Sequence, residues 1–471
     1  MSKFALYGSL FGAAAAFSTL CFPQNASAQS DYSKGVFIIN EDWFGHNNST
    51  VNYLSPDAAD DNFWHYRVFQ ANNEGHELGV TAEAGEIWNG KFYIICKQPS
   101  DKGGRVNVAD AKTMEMEYQL ADIDPDGGNV DGRTFIGLDE HKGYLSSSNG
   151  VWILNLDSHQ VTGKVVGTDS GDESIYEGQS GSMARAGGKV FVAHQTMGLL
   201  VIDPVEDKVV KVISFESIEE GASVGSAVVS KDGNVWCSVA ANGGAAPYLL
   251  KVDPETLVTE TVEVPATVYP PANSWHAWTP DGFCASSVTN SLFWNGGSSS
   301  WFSGEEIFRF DIDSRSFLRI INLKDGGEGW QLYGCSMRVH PVSNELYMSL
   351  FQGYGSQSYI VRRYTADGEK LQDYPMIENY WFPAQPVFAQ SDQFSGVANV
   401  CADCGEVVKI SVVNSSIVIE NGNGQFLEVY NLSGGRLHGR VLTSDSFILP
   451  SDFPAGIYMV RVGDAVAKVR L

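Results

Sequence analysis

Seven times along the chain an apolar strand runs into an aspartate, followed by a short polar turn and a second β-rich stretch. The copies are NYLSPD to Asp57, VNVAD to Asp110, WILNLD to Asp157, LLVID to Asp203, LLKVD to Asp253, FRFDID to Asp313 and RRYTAD to Asp367. They recur at intervals of 46 to 60 residues. A four-stranded propeller blade repeats every 40 to 50 residues or so, and loop insertions lengthen that period. The segment GSMARAGGKVFVAHQTMGLLVIDPVEDKVVKVISF divides into four short strands at GG, QTMG and PVED, and SAVVSKDGNVWCSVA with YLLKVDPETLVTETVEV repeats the scheme. Gly, Asn, Asp and Pro stand where tight hairpins need them. Two or three separate β-sandwiches are the rival arrangement, but they do not account for one tandem period sustained over seven units. The expected fold is all-β: a seven-bladed β-propeller over residues 33–390, a linker at 391–408, and a small β-sandwich at 409–471.

Composition agrees with short strands and many turns. Among 471 residues there are 49 Gly, 12% aromatic residues and 18% charged residues, and no long Ala/Glu/Lys/Leu run. The net charge of −25 argues against a nucleic-acid partner, because a phosphate backbone attracts Lys and Arg. The N-terminus reads as a secretory signal peptide at 1–28: Lys3, an apolar stretch from Phe4 to Phe22, then Ala26 and Ala28 at the −3 and −1 positions of a cleavage site. A membrane anchor needs about 20 apolar residues, and Pro23, Gln24 and Asn25 interrupt this run. Cys21 raises lipidation, but Ser18 and Leu20 do not match a lipidation signal, which makes this the weaker reading. Cys96, Cys237, Cys284 and Cys335 lie in strand-like runs and are expected as buried free thiols. Cys401 and Cys404 form a CxxC in the linker, read as a local disulfide or two free thiols in preference to a redox pair or half a zinc site.

After the linker come SIVIE, FLEVYNLSGG, SFILP, AGIYMVRV and AVAKVRL. Val429-Tyr430-Asn431-Leu432-Ser433-Gly434, Pro454-Ala455-Gly456-Ile457-Tyr458 and the terminal Lys468-Val469-Arg470-Leu471 resemble the C-terminal sorting domain of type IX secretion cargo. The resemblance implies the type IX secretion machinery as a partner, a cell-surface or extracellular location reached through the periplasm, and in many cargoes removal of this domain. An ordinary adhesive β-sandwich is the alternative.

In a propeller, the connections between blades and the loops between second and third strands open on one face. That face gathers EDWFGHNNS, NNEGHELG, KQPSDKGG, IYEGQSG, AHQTMG, YPPANSWHAWTPDG, NGGSSSWFSG, GGEGWQLYG, FQGYGSQS and IENYWFPAQP. Large aromatic side chains in polar loops offer rigid contact area at low entropy cost, and amides beside them orient a ligand. The candidate ligand-binding residues are therefore Trp43, Phe44, His46, His76, Gln98, Tyr176, His194, Trp275, His276, Trp330, Tyr333, Tyr354 and Trp381. Any one of these aromatics can equally serve to pack blades. No GxSxG, HExxH, P-loop or GxGxxG motif is present, so no catalytic residue is assigned. Glu74, Glu177 and Glu328 lie in face loops and leave carbohydrate acid/base chemistry open. The four loop histidines lack metal-ligand spacing, and the acidic loop from Asp122 to Gly132 lacks the pattern and closing Glu of an EF-hand, so calcium there is weakly supported.

The opening GVFIINEDWFGHNNSTVNYLSPD, with YRVFQ, ELGVTAE and GGRVNVADAKTM, resembles a YncE-like propeller family that includes BtuG-like surface cobalamin-binding proteins. Asn40, Trp43, Phe44, Gly45 and His46 carry most of the likeness, which spans Val36 to about Phe388. It implies capture of a corrinoid, or another large polar small molecule, and hand-over to an outer-membrane transporter. Two features depart from the pattern: the poor lipidation site and the sorting domain. A propeller hydrolase or lyase acting on carbohydrate and an adhesive surface protein are the alternative readings.

Overall fold

The computed structural model describes residues 31–391 except 59–61, 170–177, 242–243, 272–281, 297–302 and 354, and residues 408–470 except 414–415, 424, 432–434, 445, 450–452, 454–455 and 464. The signal peptide expected at 1–28, Cys401 and Cys404 thus lie outside the described residues. What is described is almost entirely β.

Among the described residues up to 391, the strands form seven antiparallel sheets. Sheet one joins Val36–Asn40, Thr50–Leu54 and Trp64–His65 to Pro383–Phe388. Sheet two runs Val80–Trp88, Lys91–Gln98, Val106–Asp110, Met116–Leu120. Sheet three runs Gly132–Gly137, Lys142–Ser147, Gly150–Asn155, Gln160–Lys164. Sheet four runs Ser180–Ala186, Lys189–His194, Gly198–Asp203, Lys208–Ile213. Sheet five follows with Ser223–Val229, Val235–Ala241, Gly244–Val252, Thr259–Glu263. Sheet six has Cys284–Ala285, Ser291–Gly296, Glu306–Asp311, Ser316–Asn322. Sheet seven has Gln331–Val339, Leu346–Phe351, Tyr359–Tyr364 and Lys370–Pro375, and Ser303–Gly304 from the sheet-six loop adds to its first strand.

The innermost strands touch in succession from sheet one through sheet seven and back to sheet one, so the sheets close into a ring. Each sheet-to-sheet interface has its own core. Tyr93 stacks on Phe135 between sheets two and three at 3.9 Å, Trp236 meets Phe310 between five and six, and Tyr347 and Val361 pack on Ile38 between seven and one. Alternation explains this: a sheet packed on both faces buries both sets of side chains, as in the all-buried VFIIN and SLFWNG strands. In sequence, IENYWFPAQP reads as a loop after the seventh repeat; its end is the inner strand of sheet one, with Val36 opposite Phe388 and Phe37 opposite Val387. The main-chain bond from Ala389 N to Gly35 O fastens the same seam.

The repeated aspartates mark the turn between third and fourth strands. Asp110 Oδ1 accepts from the N–H groups of Lys112 and Thr113, Asp203 from Val205 and Glu206, Asp253 from Glu255 and Thr256. In sheets three and six that task falls two residues earlier, to Asn155 and Asp311. The residue four positions on adopts a left-handed conformation in all five turns: Met114, His159, Asp207, Leu257 and Arg315. The side-chain cap holds a conformation that a non-glycine residue otherwise rarely enters.

A second recurrence lies on the inner strands. In sheets two, three, four, five and seven the pairing of first and second strands slips at one place, between Ala82 and Ala84, Gly132 and Phe135, Ser180 and Met183, Val224 and Ala227, and Leu332 and Met337. Such bulges free main-chain groups from the ladder. Hydroxyls collect them: Ala227 N donates to Ser182 Oγ in the neighbouring sheet, Thr134 Oγ1 donates to Gly181 O, and Ser226 N donates to Ser238 Oγ.

The C-terminal residues form a three-stranded sheet (Lys409–Val413, Ser416–Glu420, Ser446–Leu449) and a four-stranded sheet (Phe426–Asn431, Arg436–Val441, Ile457–Val462, Ala465–Arg470). Ile417 and Ile419 of the first share one core with Leu427, Val429 and Val460 of the second.

Candidate functional site

Two faces follow from the strand directions. The loop face carries the connections between sheets and the loops between second and third strands; the turn face carries the short hairpins.

On the loop face, the chain leaves Val36–Asn40 through Glu41 and Asp42, whose N–H groups donate to Phe382 O and Trp381 O, each at 3.0 Å. Asp42 is left-handed (φ 56°), and its carboxylate accepts from Thr50 Oγ1 at 2.7 Å. This fixed start throws the next residues outward. Trp43 and Phe44 are 57% and 58% exposed, and Trp43 lies against His46, ring centroids 4.8 Å apart. Lys97 Nζ stands 5.7 Å from the Phe44 ring. Exposed His76 and Gln98 sit in adjoining connections of sheet two.

Beneath the loop is a buried charged cluster that no sequence motif marks. Lys97 Nζ and Glu83 Oε2 are 2.8 Å apart with both side chains buried. Glu41 shares hydrogen bonds with Glu83 and Tyr333; complete burial, then the neighbouring Glu83 charge, push its carboxyl well above the usual carboxylate range, with Lys97 opposing. Burial likewise pushes Asp42 up to about 7 against the Thr50 hydrogen bond and the Arg67 charge. Cys335 Sγ donates to Glu83 O and Ala384 O, tying this cluster to the seam. Buried Arg133 donates to Gln179 Oε1 at 2.6 and 2.8 Å and lies 3.7 Å from Asp131. The signal was present in sequence as Glu83, Lys97 and Arg133 standing inside otherwise small or apolar strand segments.

The structure separates the candidate residues. Trp43, Phe44 and His46 share one loop, with the Trp381 carbonyl and Tyr333 at its root. Trp381 itself is buried, stacked on Tyr66 at 5.3 Å with Arg67 over its ring, and its Nε1 donates to Ile377 O. His194 is fully buried: its Nδ1 accepts from Thr196 N and Met197 N, and burial pushes the imidazole down to about 4. Trp330 packs half-buried against the core between sheets six and seven. Tyr176, Trp275, His276 and Tyr354 lie outside the described residues. Cys96, Cys237, Cys284 and Cys335 are buried free thiols. In the acidic loop, Asp122 pairs with Arg105 at 3.0 Å and Asp124 Oδ1 accepts from Asp126 N; no group of three metal-ligating side chains occurs among the described residues.

Away from the loop face, the channel holds a cavity of about 610 Å³ bounded by all seven inner strands. It reaches the turn face at Lys231, Ser287 and Pro341, while Glu86, Arg185 and Arg338 also line it.

A closed ring of four-stranded antiparallel sheets around an axial channel defines a β-propeller. The fold is similar to a quinonprotein alcohol dehydrogenase-like protein from Bacteroides thetaiotaomicron, with a TM-score of 0.55 and 18% identity over 76% of this chain and 79% of that one. The chain belongs to the family of the domain of unknown function DUF5074, which matches residues 34–389. Fainter likenesses are to a chain of the mitotic checkpoint complex (TM-score 0.44, 13% identity, 63% and 80% covered) and to the extracellular domain of a proposed one-component system of B. thetaiotaomicron (0.43, 9%, 83% and 56%). No curated protein matches the sequence.

Proposed function

We propose that this protein is a seven-bladed β-propeller, exported by the leader at 1–28 and followed by a β-sandwich of the type IX cargo kind, that captures a small molecule on its loop face at the cell surface. The observation that carries this reading is the pair Trp43 and Phe44, both more than half exposed on a loop whose root is pinned by buried polar bonds. Large exposed rings on a rigid base make a contact surface that loses little entropy on binding. His46 lies against Trp43, the Lys97 ammonium stands near the Phe44 ring, and the exposed Gln98 amide lies on the same face. A corrinoid such as cobalamin is the first candidate ligand, on the YncE-like resemblance of the segment that contains Trp43, Phe44 and His46, and an outer-membrane transporter is the corresponding partner. Calorimetry of the full propeller with cobalamin, cobinamide and haem tests this. Heat with one of them, lost in a Trp43→Ala/Phe44→Ala double variant, is the expected result; no heat with any removes the corrinoid assignment.

A catalytic reading rests on a different observation. Glu41 and Glu83 are neighbouring carboxyl groups, one pushed well above the usual carboxylate range by burial and one paired with Lys97, and such a division serves acid/base chemistry. Their burial favours a structural role, and a carbohydrate panel showing turnover that Glu41→Gln abolishes would reverse that preference.

A further inference from the structure

We infer that the turn-face end of the channel is a second binding site, for a compact polyanion bearing carboxylate or phosphate groups. The cavity there has a volume of about 610 Å³, room for a molecule of several polar groups rather than a few waters. Its lining contains three cations, Arg185, Lys231 and Arg338, and one carboxylate, Glu86. That balance is opposite in sign to the whole chain, whose net charge is −25. A concave site walled by protein focuses the field of such groups, and an acidic exterior leaves this as a place where an anion gains by entering.

The cations come from different parts of the ring. Arg338 belongs to the inner strand of sheet seven, Lys231 to the turn after that of sheet five, and Arg185 to that of sheet four. Arg185 reaches past sheet three, where it donates to Gly137 O, and ends on sheet two, with its guanidinium 4.1 Å from the Trp88 ring centroid and 3.3 Å from Glu86. Its plane is thereby fixed at the cavity wall before any ligand arrives. Arg338 NH1 is held by the carbonyls of Cys335 and Met337 at 3.1 and 2.8 Å. Lys231 Nζ donates to Val288 O at 2.7 Å, which keeps an exposed ammonium at the rim. The Arg185 guanidinium, resting on sheet two, and Arg338, from sheet seven, have sheet one between them in the ring, so the two guanidiniums stand on different walls. That arrangement selects a ligand with more than one anionic group over a monoanion, because a guanidinium binds an oxyanion through a planar fork of donors.

Citrate and pyrophosphate serve as probes, one for each source of the shared chemistry, with glucose as an uncharged match in size. Calorimetry of the full chain at low salt is expected to give saturable one-to-one binding of at least one polyanion and none of glucose. Affinity should weaken about tenfold, roughly 1.4 kcal/mol, for Arg338→Gln, and similarly for Lys231→Glu, whose exposed position leaves folding intact. Lys208→Glu makes the same change in net charge on the outer strand of sheet four and should leave affinity unchanged. Binding of neither polyanion overturns the assignment, as does a loss in Lys208→Glu equal to that in Lys231→Glu. Which probe binds decides between carboxylate and phosphate.

Discussion

The two ends of the channel are built from the same seven strands and are opposites in energetic character. At the loop end, charges are driven into the interior and paired, Glu83 with Lys97 and Arg133 with Asp131. At the turn end, the charged side chains stay within reach of solvent around an open cavity, as the partly exposed Arg185 and Glu86 pair shows. The difference teaches that a repeat fixes the frame while a few substitutions per strand decide what each end can do. Burial makes the loop-end charges part of the scaffold; the turn-end charges stay partly exposed to solvent.

The largest contrast should appear on removing one partner from a pair at each end. Lys97→Met strands Glu83 as a buried charge and should cost about 3–5 kcal/mol in denaturant unfolding. Glu86→Gln removes a partly exposed partner of Arg185 and should cost less than about 1 kcal/mol. Equal losses would break the distinction. A pH series sharpens it. The folded-state value of Asp42, about 7, lies above its unfolded value, so folding binds a proton and stability falls as pH rises from the ordinary carboxylate range toward 7. Glu41 acts in the same direction. Asp232 and Asp373 are held below the usual range, in Asp232 by hydrogen bonds from Ser230 and Asn234 and in Asp373 by those from Arg362 and Lys370, in each case against an opposing desolvation, and their contribution is lost only at more acid pH. Melting temperature should therefore rise between pH 7.5 and 5.5, and rise less in Asp42→Asn. A smaller effect is expected midway along the channel, where Ser182→Ala leaves Ala227 N–H without its acceptor and should cost about 1–3 kcal/mol. Smallest of all, Trp43→Ala should shift stability by no more than about 0.5 kcal/mol, since the ring is exposed, while removing ligand binding at the loop face.

Much of the frame was legible in the sequence because its signals are local. A side chain that caps its own turn must stand in that turn, so the copies located the turn between third and fourth strands in five sheets, with an offset of two where Asn155 and Asp311 do the capping; the copies ending at Asp57 and Asp367 stand in the equivalent turns of sheets one and seven. The seam was not legible, because the pairing of Val36 with Phe388 is a long-range contact that no local pattern announces. The recurring inner-strand bulge left a trace of small and hydroxyl residues, as in Gly132-Arg133-Thr134 and Gly225-Ser226-Ala227, which passes unnoticed unless the repeats are aligned on their first strands. For the site, exposure of Trp43, Phe44 and His46 followed from a polar loop, whereas His194 and Trp381 look the same in sequence and are buried by neighbours distant in the chain. Glu41, Glu83 and Lys97 converge from two sheets, and only the folded ring brings them together.

The seam also sets an order of events. The first sheet holds three strands from the beginning of the ring and one from its end, so Val36–Asn40 keeps an unpaired edge until Pro383–Phe388 arrives. A chain made from its N-terminus onward thus spends nearly its whole synthesis with that edge open to the wrong partner, and a protein cut short before Pro383 would present it permanently.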